Sequence, residues 1–192
     1  MTEQQPYEVL EQGDGFELRH YPPHLVAEVA TDGSFEDAGN RAFRSLFRYI
    51  TGNNRAQQSI SMTAPVVQEA TVSEKVAMTA PVVQAETPGG GYVIAFVLPA
   101  AMTIETAPVP ADPDVQVRAV PERLAAAVRY SGRWSQASYE RHLAELLDAV
   151  AAAGLTPTGV PRFARFDPPF TPWFLRRNEV VQDVVGPAPA TG

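Results

Sequence analysis

The chain is 192 residues long, carries a formal net charge of -7 and has no cysteine. Its 45% hydrophobic and 19% charged content is that of an ordinary globule, long enough to bury a real core. The acidic balance argues against a nucleic-acid partner, because phosphate binding needs a basic patch, and the missing cysteines exclude disulfides, thiolate zinc sites and cysteine nucleophiles.

The opening stretch MTEQQPYEVLEQ is polar and acidic and does not read as a signal peptide. No apolar run approaches the roughly 18 residues of a membrane span, so the expectation is a cytoplasmic protein that spans no membrane. Tyr7–Leu10 and Gly15–Tyr21 read as strands around a Gly13–Asp14–Gly15 turn. Pro22–Pro23 ends the second, and His24–Thr31 reads as a third. The run SFEDAGNRAFRSLFRYITG is the first helix, with Ser34 as its cap, acids in its first turn and Gly52 at its end. At 100° per residue, Phe35, Ala38, Ala42, Leu46 and Tyr49 form its apolar face. Phe43 and Phe47 are rotated off that face toward Asn40, with Arg44 and Arg48 beyond them. That shoulder is either a wide core face or a surface for a flat apolar ligand.

Residues 59–68 and 75–84 are β-rich and contain MTAPVVQ twice, at Met62–Gln68 and Met78–Gln84. Two copies cannot build a solenoid. The polar bridge EATVSEK predicts that they pair as arms of one hairpin, with either methionine a candidate for a pocket wall. Tyr92–Leu98 is a buried strand. Val115–Val120 and Leu124–Tyr130 suggest a hairpin around Pro121–Glu122. A second helix is expected from Ser135 to Ala153, closed by Gly154, with its stripe at Leu143, Leu146, Leu147 and Val150. Phe163–Phe166 reads as a short strand, DPPFTPWFLRR as a proline-stiffened aromatic loop, and Asn178–Val185 as the last strand. The element order suggests two similar halves, 7–100 and 101–185, in one α+β domain over 1–185 with a curved or barrel-like sheet, followed by a disordered tail at 186–192.

No catalytic signature stands out: there is no GxSxG, HExxH, phosphate-binding loop or zinc spacing. His142 falls at a polar angle of its helix and His24 at a strand start. His20 shares a strand face with Phe16 and Leu18, which suits either a packed histidine or a ligand. Phe170, Trp173 and Phe174 offer a second apolar surface, followed by Arg176 and Arg177. Arginine suits carboxylates because its planar fork holds both oxygens.

ELRHY at 17–21, FRYITGNN at 47–54, SMTAPV at 61–66 and DPPFTPWFLRRNEV at 167–180 together resemble the SOUL haem-binding family. The resemblance implies a distorted antiparallel β-barrel of two pseudo-symmetric βαβββ-like halves flanked by two α-helices. It implies non-catalytic binding of haem or a related tetrapyrrole beside the first helix. Phe43 and Phe47 match ring-contact positions and Arg48 a basic one. Asn40 stands where the family can hold arginine, and Arg44 lies one turn further along. His20 matches a proposed axial iron ligand. Spacing from the helix makes Met62–Gln68 the copy that matches the family motif, and Met78–Gln84 an insertion. Phe170, Trp173, Phe174 and Arg176 complete the candidate cofactor-binding set. The alternatives are a GyrI-like small-molecule hydrolase, which would need a carboxylate or histidine inside its pocket with a raised pKa for general-base work, and an interaction module without a ligand.

Overall fold

The computed structural model describes residues 3–56, 74–87, 90–167 and 170–186. Both helices form where a cap and an apolar stripe coincide. In α1 (Phe35–Ile50) the Ser34 hydroxyl accepts the Asp37 N–H at 3.2 Å. Ala38, Ala42, Leu46 and Tyr49 are buried, and Gly52 takes the left-handed φ of 119° that a side chain would resist. In α2 (Gln136–Ala152) Ser135 caps Ser138, and Tyr139, Leu146 and Val150 are buried.

The strands are β1 (Glu3–Gln4), β2 (Glu8–Gln12), β3 (Glu17–Tyr21), β4 (His24–Thr31), β5 (Asn54–Arg55), β6 (Thr79–Ala80), β7 (Val82–Glu86), β8 (Tyr92–Val97), β9 (Val109–Pro110), β10 (Gln116–Val120), β11 (Arg123–Tyr130), β12 (Thr156–Arg165) and β13 (Asn178–Val185). Nine of them form one antiparallel sheet in the order β10-β4-β8-β7-β12-β13-β11-β3-β2. The fold is α+β: a large antiparallel sheet with two helices. The order has a two-fold pattern centred on the β7–β12 pair. With β2 left over at one edge, each half runs strand, strand, helix, strand, strand along the main sheet (β3-β4-α1-β7-β8 and β10-β11-α2-β12-β13), and each lends the first strand of that unit to the other: β10 pairs with β4, and β3 with β11.

Two connections bend this sheet. Only Pro22 and Pro23 separate β3 from β4, and only Pro121 and Glu122 separate β10 from β11. In the strand order each pair lies six places apart. Six strand spacings would span about 29 Å if flat, whereas the three links of such a connection reach about 11 Å. The sheet therefore curls until those strand ends meet. Among the described residues no hydrogen-bonded register joins β10 to β2.

Two expectations need correction. Residues 115–120 and 124–130 do not make a hairpin: β10 pairs only with β4, and β11 lies between β13 and β3. The short strand at 163–166 is part of ten-residue β12, which begins at Thr156. The second MTAPVVQ copy is built into the sheet. Its Thr79–Ala80 pairs with β1, and both edges of β7 are occupied, by β8 and β12. The expected pairing of the two copies with each other falls outside the described residues. The first copy, with Met62 and most of the bridge, lies outside the described residues, as does the tail beyond Gly186. Asn54 ties the flanks of that segment together, with Nδ2 donating to Glu74 O and Oδ1 accepting Glu74 N–H, at 2.7 and 2.8 Å.

The two sheet faces carry separate cores. On one, Leu25, Ala27, Ile94 and Phe96 pack under α1, while Ala126, Phe163, Val180 and Val184 pack under α2. Phe35 bridges the two, stacking on Tyr139 and Phe163 with centroids 5.4 Å apart in each case. On the other face Val26, Ala95, Val97, Val120, Tyr21, Ala125, Ala127 and Val181 line the inside of the curl.

Candidate functional site

The shoulder of α1 is half outside the core. Phe43 packs edge-on against Phe96 at 5.3 Å, and its other side meets Phe47 in a stacked pair at 5.7 Å. Phe47 is 42% exposed, a costly position for phenylalanine unless something covers it. Asn40, Arg44 and Arg48 are exposed beside this pair. Among the described residues neither Arg44 nor Arg48 has a hydrogen-bond or ion-pair partner.

The aromatic loop is exposed as well: Phe170 is 86% exposed and Trp173 49%, with Phe174 edge-on to Trp173 at 5.6 Å. Arg176 is held by Thr171 O at 2.8 Å and lies 4.2 Å over the Trp134 ring. A second guanidinium, that of Arg165, lies 5.0 Å from the Trp134 ring. Arg165 in turn abuts Gly39 on α1, where an added Cβ would fall 2.7 Å from Nη1. Gly39 begins the row that Phe43 and Phe47 continue. A run of stacked groups, Gly39–Arg165–Trp134–Arg176, therefore links the shoulder to the loop, and sequence spacing alone had no means of joining them.

His20 stands elsewhere. Its register partners are Glu8 on β2 and Leu124 on β11, and its Nε2 lies 3.3 Å from Glu122 Oε2. The helix α1 packs chiefly on β4 and β8. His142, expected on a polar face, is half-buried, stacked on Tyr130 at 3.8 Å with Nδ1 2.7 Å from Ser138 O.

The inside of the curl holds a feature that the sequence reading missed. A cavity of about 110 Å³ lies between the valine walls, and Glu179, 1% exposed, reaches it. Arg19 donates to both Glu179 oxygens, at 2.7 and 3.3 Å, and Arg177 adds a bond at 2.7 Å. This buried acid is paired twice over and is not a free carboxylate base. Burial pulls the Arg19 guanidinium down, but its bonds to Glu179 outweigh that and hold it above its ordinary value. Further round, Arg118 grips Glu28 with two bonds, and Arg123 and Arg162 share Asp183. The signal was present as alternation, Glu17-Arg19-Tyr21 and Glu179-Val181-Asp183, but alternation does not say which face is covered.

With the geometry in place, the sequence model of the SOUL heme-binding protein family matches residues 2–74 and again 68–183. The chain belongs to the SOUL family. The two matches overlap at 68–74, from the last residue of the first MTAPVVQ copy into the bridge, so the doubled motif marks where the chain departs from a single continuous family pattern. Heme-binding protein 1 of Xenopus tropicalis is 25% identical over 169 residues, covering 88% of this chain and 83% of that protein. Among solved structures, the EcmrR C-terminal domain has a TM-score of 0.56 at 12% identity, with 94% of this chain and 98% of that one covered. A hydrolase from Listeria innocua has a TM-score of 0.58 at 13% identity, covering 92% and 94%. These two share the fold. No helix among the described residues is long and apolar enough to cross a membrane.

Proposed function

We propose that this SOUL-family chain binds haem or a related tetrapyrrole without catalysis, as a cytoplasmic buffer or carrier. The ring lies on the Phe43–Phe47 pair, the loop carrying Phe170, Trp173 and Phe174 covers its other side, and Arg44, Arg48 and Arg176 take the propionates. The observation that carries this reading is the stacked, half-exposed Phe43–Phe47 pair flanked by two arginines that have no partner among the described residues. A porphyrin offers what those groups lack, a broad apolar face and two carboxylates. Asn40 is the weakest member, a polar neighbour without charge. Bound haem would supply its iron, and His20, tied to Glu122 and away from α1, has no part in holding it here.

Hemin titration tests this. Saturable binding with a shifted, sharpened Soret band is expected, and a non-saturating change refutes it. Phe47→Ala should weaken binding by about 1–2 kcal/mol, roughly tenfold in Kd. His20→Ala should leave the spectrum of the complex unchanged; an altered Soret band would return His20 to the iron. The exposed loop would also suit a protein-interaction surface. Trp173→Ala separates the two readings, since it weakens hemin binding only under the first.

A further inference from the structure

The cavity inside the curl belongs to the opposite sheet face from α1, and the tetrapyrrole reading makes no use of it. Its walls are hydrocarbon: Val26 and Val97 from one half of the sheet, Val120 and Val181 from the other. Its volume of about 110 Å³ is several times the roughly 10–15 Å³ that one water requires. Its charged lining is unbalanced. Three arginines (118, 123 and 162) face it against two carboxylates, Glu28 and Glu179. That is a local positive surplus in a protein of net charge -7. The least committed of the three is Arg123, which makes one bond, to Asp183 behind the lining. Asp183 already accepts two bonds from Arg162, at 2.6 and 2.7 Å, and Arg123 adds one N–H at 2.9 Å. An arginine has five N–H donors.

We propose that this cavity is a second ligand site, built for a small apolar carboxylate whose hydrocarbon body lies against the valines and whose carboxylate is taken by Arg123. The apolar walls supply burial, and the unbalanced arginines supply the sign of the charge. A carboxylate there completes a pairing that Asp183 shares between two cations. An ammonium of the same shape meets arginines 118, 123 and 162. His24, on the same wall, reports that field. Burial, and then those three arginines, hold its pKa below the ordinary value against the pull of the Pro22 carbonyl.

Methyl-resolved NMR of the full chain tests the site with hexanoate, using hexylammonium as the matched cation. Hexanoate should shift the methyls of Val26, Val97, Val120 and Val181 saturably, and hexylammonium should not. Arg123→Gln should raise the hexanoate Kd about tenfold while keeping the wild-type far-ultraviolet spectrum. If that variant fails to fold, Arg118→Gln, on the more exposed side of the cavity, should weaken binding several-fold. No saturable shift, equal shifts with hexylammonium, or wild-type affinity in the folded variant each overturns the proposal. Excess hexanoate should leave the hemin titration unchanged. Competition between them would mean that the cavity is not a separate site, whereas a failed hemin titration leaves the hexanoate result standing.

Discussion

Arg19 is 2% exposed and Glu179 1%, and each meets further partners: Glu17 for the arginine, Arg177 for the acid. Such a network stabilises only while complete, because removing one member strands a buried charge. Arg19→Met should therefore lower the urea unfolding free energy by about 3 kcal/mol, toward the low end of such losses because Arg177 stays on Glu179. A loss under 1 kcal/mol would show that the network is not holding the curl. His24 works by the opposite sign of charge. Its neutral ring has both nitrogens engaged, with Nδ1 2.9 Å from Pro22 O and Nε2 3.1 Å from Gln5 Nε2. Burial, then the surrounding arginines, lower its pKa from the usual 6.5. The folded state thus binds the proton less readily than the unfolded one. The stability this contributes is complete above about pH 6.5 and is lost as pH falls from there through the lowered native value. Urea midpoints at pH 7.5 and 5.0 should differ more in the wild type than in His24→Asn. Equal differences would remove His24 from the acid sensitivity. Residue identity was legible in the sequence at both positions. Their setting was not, because burial of a strand face depends on a curl made by partners some 160 positions apart in the case of Arg19 and Glu179.

Helices were the most readable elements, since a cap, a stripe and a terminal glycine are all local signals. Strand identity was also legible, from alternation and apolar runs, whereas strand partners were not. Pro121–Glu122 resembles a hairpin turn in the sequence, yet it carries the chain from one side of the curled sheet to the other. The doubled MTAPVVQ shows the same limit, because identical residues give no local clue to the partners that the second copy takes in the sheet. The second copy earns its place through Gln84, which is buried between α1 and β12. Its Nε2 donates to Phe35 O at 2.9 Å, and its Oε1 accepts from Arg165 at 2.6 Å. Gln84→Ala leaves the buried Phe35 carbonyl without that donor and loosens the arginine that abuts Gly39. The expected cost is about 1–3 kcal/mol by chemical denaturation, accompanied by weaker hemin binding if Arg165 does join shoulder to loop. Lost stability with unchanged hemin affinity would separate the two surfaces.

At the scale of the molecule, the exchange of first strands decides how the halves behave. Residues 7–100 contain β3, whose main-sheet partners are β2 and β11, and β4, whose outer edge is covered by β10. Cut after residue 100, this half would lose β11 from one edge of β3 and β10 from one edge of β4. The other half would lose β3 from β11 and leave β10 with no neighbour. Phe35 adds a side-chain tie, because it belongs to α1 yet is buried in the core under α2. We therefore expect a single unfolding transition, despite the two-fold pattern. Both tryptophans, Trp134 and Trp173, lie in the second half, so fluorescence follows that half while far-ultraviolet circular dichroism follows both. The two urea curves should coincide for the wild type. Phe35→Ala should cost about 3–5 kcal/mol and move both curves together, because it opens a cavity where the two cores meet. If the fluorescence curve stays in place while the dichroism curve moves or splits, the halves are separable units that share a sheet edge.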